Sequence, residues 1–316
     1  MLLKDYKKIL VIKHGALGDL INAMGAFAAI RQNHPQAHII LLTSPAYIDL
    51  MIETGYFDEI VGDARARNPL ITWKLRSRLL KMNVERVYDL QNSDRTALYF
   101  KLLGPGKRPE WSGIAPGCSH SQQRKDRKQL HAFVRFADQL KIAGLDLEGK
   151  DELFPDLSWL KRDVSYLNLP KKTVLLVPGS SLKGAYKRWP AEKYAELALW
   201  LKKEGFNPVL LGGPDDIDVV NRIIEIFPNI QNLSQKINFF EIGALASKSI
   251  AIIGNDTGPI HLASAMKCPT LVLWSNFSDP GVYAPRGAHV KVLYSPNLSD
   301  LSLEKVQEAT AEILNI

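Results

Sequence analysis

The sequence is short of the features that hold small secreted domains together. It has 2 cysteines in 316 residues, Cys118 and Cys268, and no Cys-x-x-Cys spacing. That excludes a disulfide framework and a structural zinc site and fits a reducing cytoplasm. No apolar run approaches the roughly 20 residues of a membrane-spanning helix. Stretches such as Ile39–Leu42 and Thr173–Val177 are far shorter. Met1–Lys8 alternates Lys and Asp with apolar side chains, so it does not read as a signal peptide. Sequence repeats and low-complexity tracts are absent as well. Charge is not extreme either, with 40 Lys and Arg against 33 Asp and Glu, a net +7. That balance suits an anionic partner without choosing among nucleic acid, a membrane surface and a phosphorylated metabolite.

What is present is enough apolar material for a sizeable core, 46% of the chain. At about 150 residues per domain the length predicts two domains or one large one. Lys8–Lys13 is a short β-branched apolar run, read as a buried parallel strand. Gly15 to Asp19 turns the chain, and Leu20, Ala23, Met24, Phe27 and Ile30 follow at helical spacing. Further strands are predicted at 37–43, 59–61 and 86–90, with helices from Pro45 and over 94–103. A polar, turn-rich stretch at 145–172 reads as a linker. The pattern then restarts, with strands at 173–177, 207–211, 249–253 and 270–274 and helices at 190–203, 217–227, 259–266 and 302–314. Strand and helix alternating at this spacing predict an α/β fold of two Rossmann-like, doubly wound halves.

Three loops at predicted strand ends carry the candidate chemistry. The first, Gly15-Ala16-Leu17-Gly18-Asp19, is neither GxGxxG nor a P-loop. Its glycines let a ligand approach the backbone, and Asp19 taken alone reads first as a helix cap or first-turn acid, with a general base in the cleft as the functional alternative. The second loop, 178–190, holds Gly179, Ser180, Ser181, Lys183, Lys187 and Arg188 before Pro190 opens a helix. Hydroxyls, free amides and cations are what a diphosphate needs, although a plain surface loop can share them. The third, Gly254 to His261, contains Asn255, Asp256 and Thr257 as caps and Pro259 in the first turn. The amides of Thr257 and Gly258 suit an anion, and His261 adds a donor or lies in the core. Asp215 and Asp216, after Gly212-Gly213-Pro214, read as sugar-hydroxyl acceptors or as first-turn acids.

Two basic stretches stand out. Arg65, Arg67, Lys74, Arg76, Arg78 and Lys81 occur with no acid among them, and Arg124-Lys125-Asp126-Arg127-Lys128 forms a second cluster. Trp73, Leu75, Leu79 and Leu80 make Leu70–Met82 a basic amphipathic helix, which favours a lipid surface over nucleic acid. Glu304, Glu308 and Glu312 recur along the last predicted helix and read as a solvated face.

Taken together and in order, Lys13 through Asp19, Lys-Arg-Trp-Pro at 187–190, Gly-Gly-Pro at 212–214 and Asn-Asp-Thr-Gly-Pro-Ile-His at 255–261 resemble glycosyltransferase family 9. That family contains the ADP-heptose:lipopolysaccharide heptosyltransferases, and the likeness runs from about residue 8 to 295. It implies a GT-B fold, with two Rossmann-like domains facing a central cleft. Residues 1–160 would bind the acceptor and 161–300 the nucleotide sugar, with 301–316 a terminal helix crossing back to the first domain. It also implies inverting transfer of L-glycero-D-manno-heptose from ADP-heptose to a lipopolysaccharide inner core, with no metal and no cofactor. Asp19 is then the base. Ser180, Ser181, Lys187, Asp216, Asp256, Thr257, Gly258 and His261 would serve the donor. Lys13, Gly15, Gly18, Asn92 and Arg95 would lie on the acceptor side. The 180–186 loop is longer than the family pattern, which leaves open the hydroxyl that meets phosphate. The expected enzyme is a cytoplasmic monomer, peripheral to the inner membrane face, that binds a nucleotide sugar and a phosphorylated lipid or oligosaccharide and no nucleic acid. Another sugar donor, a GT-B epimerase or a non-catalytic binder are the alternatives.

Overall fold

The computed structural model describes residues 5–65, 69–104, 108–180 and 188–316, without the side chains of 69–73. The chain divides into two units, Met1–Trp159 and Leu160–Ile316. The first runs β1 (Lys8–Ile12), α1 (Leu17–Asn33), β2 (His38–Thr43), α2 (Ile48–Glu53), β3 (Glu59–Gly62), α3 (Pro69–Met82), β4 (Arg86–Asp89), α4 (Asp94–Leu102), β5 (Glu110–Gly113), β6 (His120–Ser121) and α5 (Ala132–Ile142). The six strands form one parallel sheet in the order β3-β2-β1-β4-β5-β6. Helices cover a parallel sheet on both faces, so its central strands must be apolar throughout. Ile9–Ile12 and Ile39–Leu42 accordingly are all buried.

The second unit runs β7 (Thr173–Val177), α6 (Ala191–Lys203), β8 (Asn207–Leu210), α7 (Ile217–Ile226), β9 (Gln231–Asn232), α8 (Phe239–Ala246), β10 (Ala251–Asn255), α9 (Gly258–Ala265), β11 (Thr270–Trp274), α10 (Pro280–Tyr283), β12 (Val290–Tyr294) and α11 (Leu303–Leu314). Its sheet is also parallel, in the order β12-β11-β10-β7-β8-β9. Counted from its own first strand, this is the order of the first sheet. The fold is therefore duplicated where the sequence shows no repeat. In each sheet the strand order reverses between the first and fourth strands, β1 and β4 or β7 and β10. The carboxyl ends of that pair are where open α/β sheets bind ligands. At Gly254 the β7–β10 pairing is so close that a Cβ would lie 2.7 Å from both Val177 Cβ and its carbonyl oxygen.

The terminal helix packs on α6, β10, β11 and β12 of its own unit and buries Val306, Ala309 and Thr310 there. Its approach is fixed by Trp189, whose Nε1 donates to the Leu301 carbonyl at 3.0 Å, and by Lys193, whose Nζ reaches the carbonyls of Ser299 and Leu301 at 2.8 and 2.7 Å. The apolar stripe of α3, read as lipid-facing, lies in the first core instead. Leu79 and Met82 are buried and Leu75 packs against them, which leaves Lys74, Arg78, Leu80 and Lys81 outside. Trp73 and Arg67 fall outside the described side chains. As expected, Glu304, Glu308 and Glu312 are exposed.

At the amino ends of the first sheet, Arg86 is 1% exposed and stacks on Tyr6 and Tyr88. It donates to Glu110 at 2.6 Å, to the Tyr6 hydroxyl at 3.2 Å and to the Ala143 carbonyl at 2.6 Å. His34 bonds the Tyr88 hydroxyl at 2.7 Å. Burial, with Arg86 and Arg31 nearby, pushes its imidazole down to about 4.

Candidate functional site

In the first unit the loop after β1 is shaped by Asp19. Gly15 has φ +123°, a conformation side chains resist, and a Cβ there would stand 2.5 Å from Asp19 Oδ2. Asp19 sits in the first turn of α1, and its Oδ2 accepts from the Ala16 amide at 3.0 Å. This cap leaves the carboxylate exposed. Asp19 is thus both a cap and an accessible anion. Gly18 lies in the same first turn.

Around it lies a polar group gathered at the ends of β1, β3 and β4. Lys13 is 7% exposed, with its ammonium 5.6 Å from the Phe136 ring centre. Burial lowers its pKa, a trend that Asp19 and Asp89 oppose and Arg135 and Arg127 reinforce. Asp89 pairs with Ile12 in register and is fully buried. Its Oδ1 accepts from the amides of Gln91 and Asn92 at 3.1 and 2.9 Å, while Oδ2 has no hydrogen bond among the described residues. Burial pushes the Asp89 carboxyl up to about 6. Asn92 donates to Gln139 at 2.7 Å, and its Oδ1 is buried without a partner. His14 Nε2 lies 3.2 Å from Asp63 Oδ2, which also accepts from the Tyr99 hydroxyl at 2.5 Å. Burial alone would raise the Asp63 carboxyl, but the His14 and Tyr99 side chains and the Arg65 amide hold it well below the usual carboxylate range. Arg95 donates to the Arg65 carbonyl at 2.7 Å, which fixes the chain just before 66–68.

In the second unit the ends of β7, β8 and β10 are cross-braced. Ser180 donates its amide to Asp216 Oδ1 at 3.0 Å, and Gly213 donates to Oδ2 at 2.8 Å. Arg188 joins them, reaching the Ser180 carbonyl at 2.6 Å, its hydroxyl at 3.2 Å, the Asp215 carbonyl at 2.9 Å and Asp216 Oδ1 at 3.1 Å. A Cβ on Gly179 would stand 2.0 Å from the Asp216 carboxyl carbon, so this seat admits only glycine. Asp216, expected to face the donor, therefore has both oxygens engaged by the protein. Asn255 is wholly buried. Its Oδ1 accepts from the Trp189 amide and the Tyr194 hydroxyl, both at 3.1 Å, and its Nδ2 donates to the carbonyls of Pro178 and Gly179 at 2.8 and 3.3 Å. One side chain thus fixes both flanks of the 180–188 loop. Ser181, Lys183 and Lys187 lie outside the described residues.

Beyond Asn255, Thr257 is the cap residue of α9, and the first helical bonds run from Ile260 and His261 back to its carbonyl. The Thr257 and Gly258 amides precede those bonds, where a helix favours an anion. His261 is buried, with Nε2 3.2 Å from Asp256 Oδ1 and Nδ1 unpartnered. Among the described residues no three His, Cys, Asp or Glu side chains converge as a metal ion would need. No described helix is long and apolar enough to cross a membrane.

Sequence reasoning missed His14, Asp63, Asn255 and Arg188 as organisers. Arg188 and Asn255 sat inside the loops it singled out, but their partners lie up to 77 residues away.

Both units thus place polar residues at the reversal of a doubly wound parallel sheet, the arrangement of a GT-B glycosyltransferase. The sequence matches the model of glycosyltransferase family 9 (heptosyltransferase) over residues 72–311, and the chain belongs to that family. Lipopolysaccharide heptosyltransferase 2 of Escherichia coli (strain K12) is 26% identical over 315 residues, spanning 90% of this chain and 87% of that protein. A glycosyl transferase family 9 structure from Veillonella parvula DSM 2008 aligns with a TM-score of 0.81 at 22% identity, over 99% of this chain and 98% of that one. E. coli heptosyltransferase WaaC with ADP-2-deoxy-2-fluoro heptose gives a TM-score of 0.75 at 18% identity, over 96% and 99%.

Proposed function

We propose that this glycosyltransferase moves L-glycero-D-manno-heptose from ADP-heptose to a lipopolysaccharide inner-core acceptor, with inversion and without a metal ion or cofactor. The named activity of the E. coli relative and the ADP-heptose analogue held by WaaC support the donor and the acceptor. One observation carries the reading. Asp19 is an exposed carboxylate in the first turn of the helix that follows central strand β1, oriented through one oxygen by the Ala16 amide. An inverting transfer needs one such base to take the proton of the acceptor hydroxyl as it attacks opposite the leaving group. It also needs positive charge on the departing diphosphate. In the second unit the Thr257 and Gly258 amides, His261, Ser180 and the Arg188 guanidinium lie at the reversal point, with Ser181 and Lys187 assigned to the same task from sequence. Asp216 and Asp256 act by holding Arg188 and His261. On this reading the second unit takes the donor and the first takes the acceptor. Exposed Lys74, Arg78 and Lys81 meet an anionic surface at the cytoplasmic membrane face.

Asp19→Asn tests the base apart from the cap, because the amide oxygen can still accept from Ala16. Turnover should fall about a thousandfold, within the range for losing a general base, while calorimetric ADP affinity stays near wild type. Near-normal turnover removes Asp19 as the base. A panel of ADP- and UDP-sugars identifies the donor, and donor conversion with no acceptor present would make the chain an epimerase.

A further inference from the structure

His14 opens the loop that carries Asp19, and three neighbouring elements take hold of it. Its amide donates to Gln91 Oε1, just after β4, at 3.0 Å. Its ring stands edge-on to Tyr99 of α4, with centres 6.5 Å apart. Its Nε2 is 3.2 Å from Asp63 Oδ2, at ion-pair distance though out of line for a hydrogen bond. Asp63 follows β3, and β2 lies between β3 and β1, so the pair spans the end of β2. Asp63 is itself fixed. The Tyr99 hydroxyl donates to Oδ2 at 2.5 Å, the Arg65 amide donates to Oδ1 at 2.8 Å, and the Asp63 amide donates to the Thr43 carbonyl at 2.8 Å.

His14 is 1% exposed and Asp63 7%. A buried pair of this kind adds little to stability, because desolvation offsets the attraction. What it does fix is geometry. The next residue is Gly15, whose carbonyl accepts from the Ser44 hydroxyl at 3.4 Å and whose backbone stands against the Asp19 carboxylate. Glycine has no preferred shape of its own, so the φ of +123° is imposed by what holds either side.

We infer that Asp63 is a positioning residue for Asp19, acting through His14 and the Gly15 backbone so that the carboxylate meets the acceptor hydroxyl in one fixed geometry. The inference rests on the proposed role of Asp19 as the base. In this role Asp63 exchanges no proton with the acceptor.

The test uses the full chain carrying Asp63→Asn, His14→Ala or His14→Gln, and Asp63→Asn combined with Asp19→Asn. Asp63→Asn removes the charge and should lower kcat by up to about a hundredfold, the effect of misplacing a reacting group, with donor and acceptor KM unchanged. His14→Ala should do the same. His14→Gln, whose amide can still donate to Asp63, should recover most of that loss. In the Asp19→Asn background, Asp63→Asn should slow turnover no further, because no base is left to position. Three kinetic results overturn the role. They are an unchanged kcat in Asp63→Asn, the full loss repeated in the Asp19→Asn background, and His14→Gln as slow as His14→Ala, which would give the imidazole a task of its own. Hydrogen exchange at the Ala16 amide, whose acceptor is Asp19, reads the same geometry without turnover. It should quicken in Asp63→Asn and His14→Ala, and unchanged exchange in both overturns the brace. If His14→Ala does not fold, Asp63→Asn decides alone. Should wild type transfer no heptose, the proposed function fails while the exchange still decides the brace.

Discussion

The two sheets share one topology and finish their central strands in opposite ways. In the second unit, among the described residues, the side chains of Asn255, Asp216 and Arg188 at the β7–β10 reversal have their hydrogen bonds made, while His261 Nδ1 does not. Asn255 uses donor and acceptor, Asp216 uses both oxygens and Arg188 contacts four acceptors. In the first unit, among the described residues, the β1–β4 reversal leaves the Lys13 ammonium over the Phe136 ring and Asp89 Oδ2 and Asn92 Oδ1 unbonded. Buried polar groups are ordinarily satisfied. A closed network fixes the strand ends that it joins, whereas an open one leaves buried polar atoms unsatisfied. Even the shared device differs. Gly15 admits the Asp19 carboxylate and Gly179 admits the Asp216 carboxylate, but the first carboxylate stays exposed and the second is tied down.

The largest effect should come from breaking the closed side. Asn255→Ala takes the partner from the Trp189 amide and the carbonyls of Pro178 and Gly179, while the Tyr194 hydroxyl keeps the Val177 carbonyl at 3.3 Å, and should cost on the order of 3 kcal/mol, read by denaturant unfolding. It should also speed hydrogen exchange at the Trp189 amide. A loss under about 1 kcal/mol would mean that water replaces the amide and that the network is not closed.

Next come the two glycines. Gly179→Ala and Gly15→Ala should each destabilise by roughly 2–3 kcal/mol. A double-mutant cycle separates their causes. Removing the carboxylate with Asp216→Ala should relieve most of the Gly179→Ala penalty. Asp19→Ala should relieve little at Gly15, where φ +123° remains strained. Equal relief at both would erase the distinction.

The smallest effect lies at the opposite end of the first sheet. His34 has its pKa pushed from 6.5 down to about 4, so the unfolded chain binds the extra proton between those values. Its contribution is full above the unfolded value and is lost as pH falls. At pH 5 the loss should be about 2 kcal/mol relative to pH 8. Asp89, raised to about 6, gives slope of the opposite sign. The difference between wild type and His34→Gln therefore isolates the imidazole. Parallel pH profiles for the two proteins would show that His34 does not govern acid stability.

The central strands were legible because burial on both faces makes them apolar runs, as Thr173–Val177 and Thr270–Trp274 show. The edge strands were not. Gln231–Asn232 and His120–Ser121 are two polar residues each, held by the neighbouring strand rather than by their own pattern. Helix α5 starts on a His131 cap, which is not a usual start signal. Asp19 and the 255–261 loop could be picked out because glycines and caps mark them locally. Asn255 and Arg188 as braces, and Lys13 over the Phe136 ring, depend on what folding brings near, which no local pattern records.

The Trp189 and Lys193 contacts with Ser299 and Leu301 matter to anyone who shortens or tags the chain. Trp189 also donates its backbone amide to Asn255, so one residue ties the segment before the last helix through its indole and the end of β10 through its main chain. Trimming back past Ser302 would thus loosen the Trp189 and Asn255 contacts of the second unit before it disturbed the first half of the molecule. An affinity handle is safer after Ile316 than in place of the final helix.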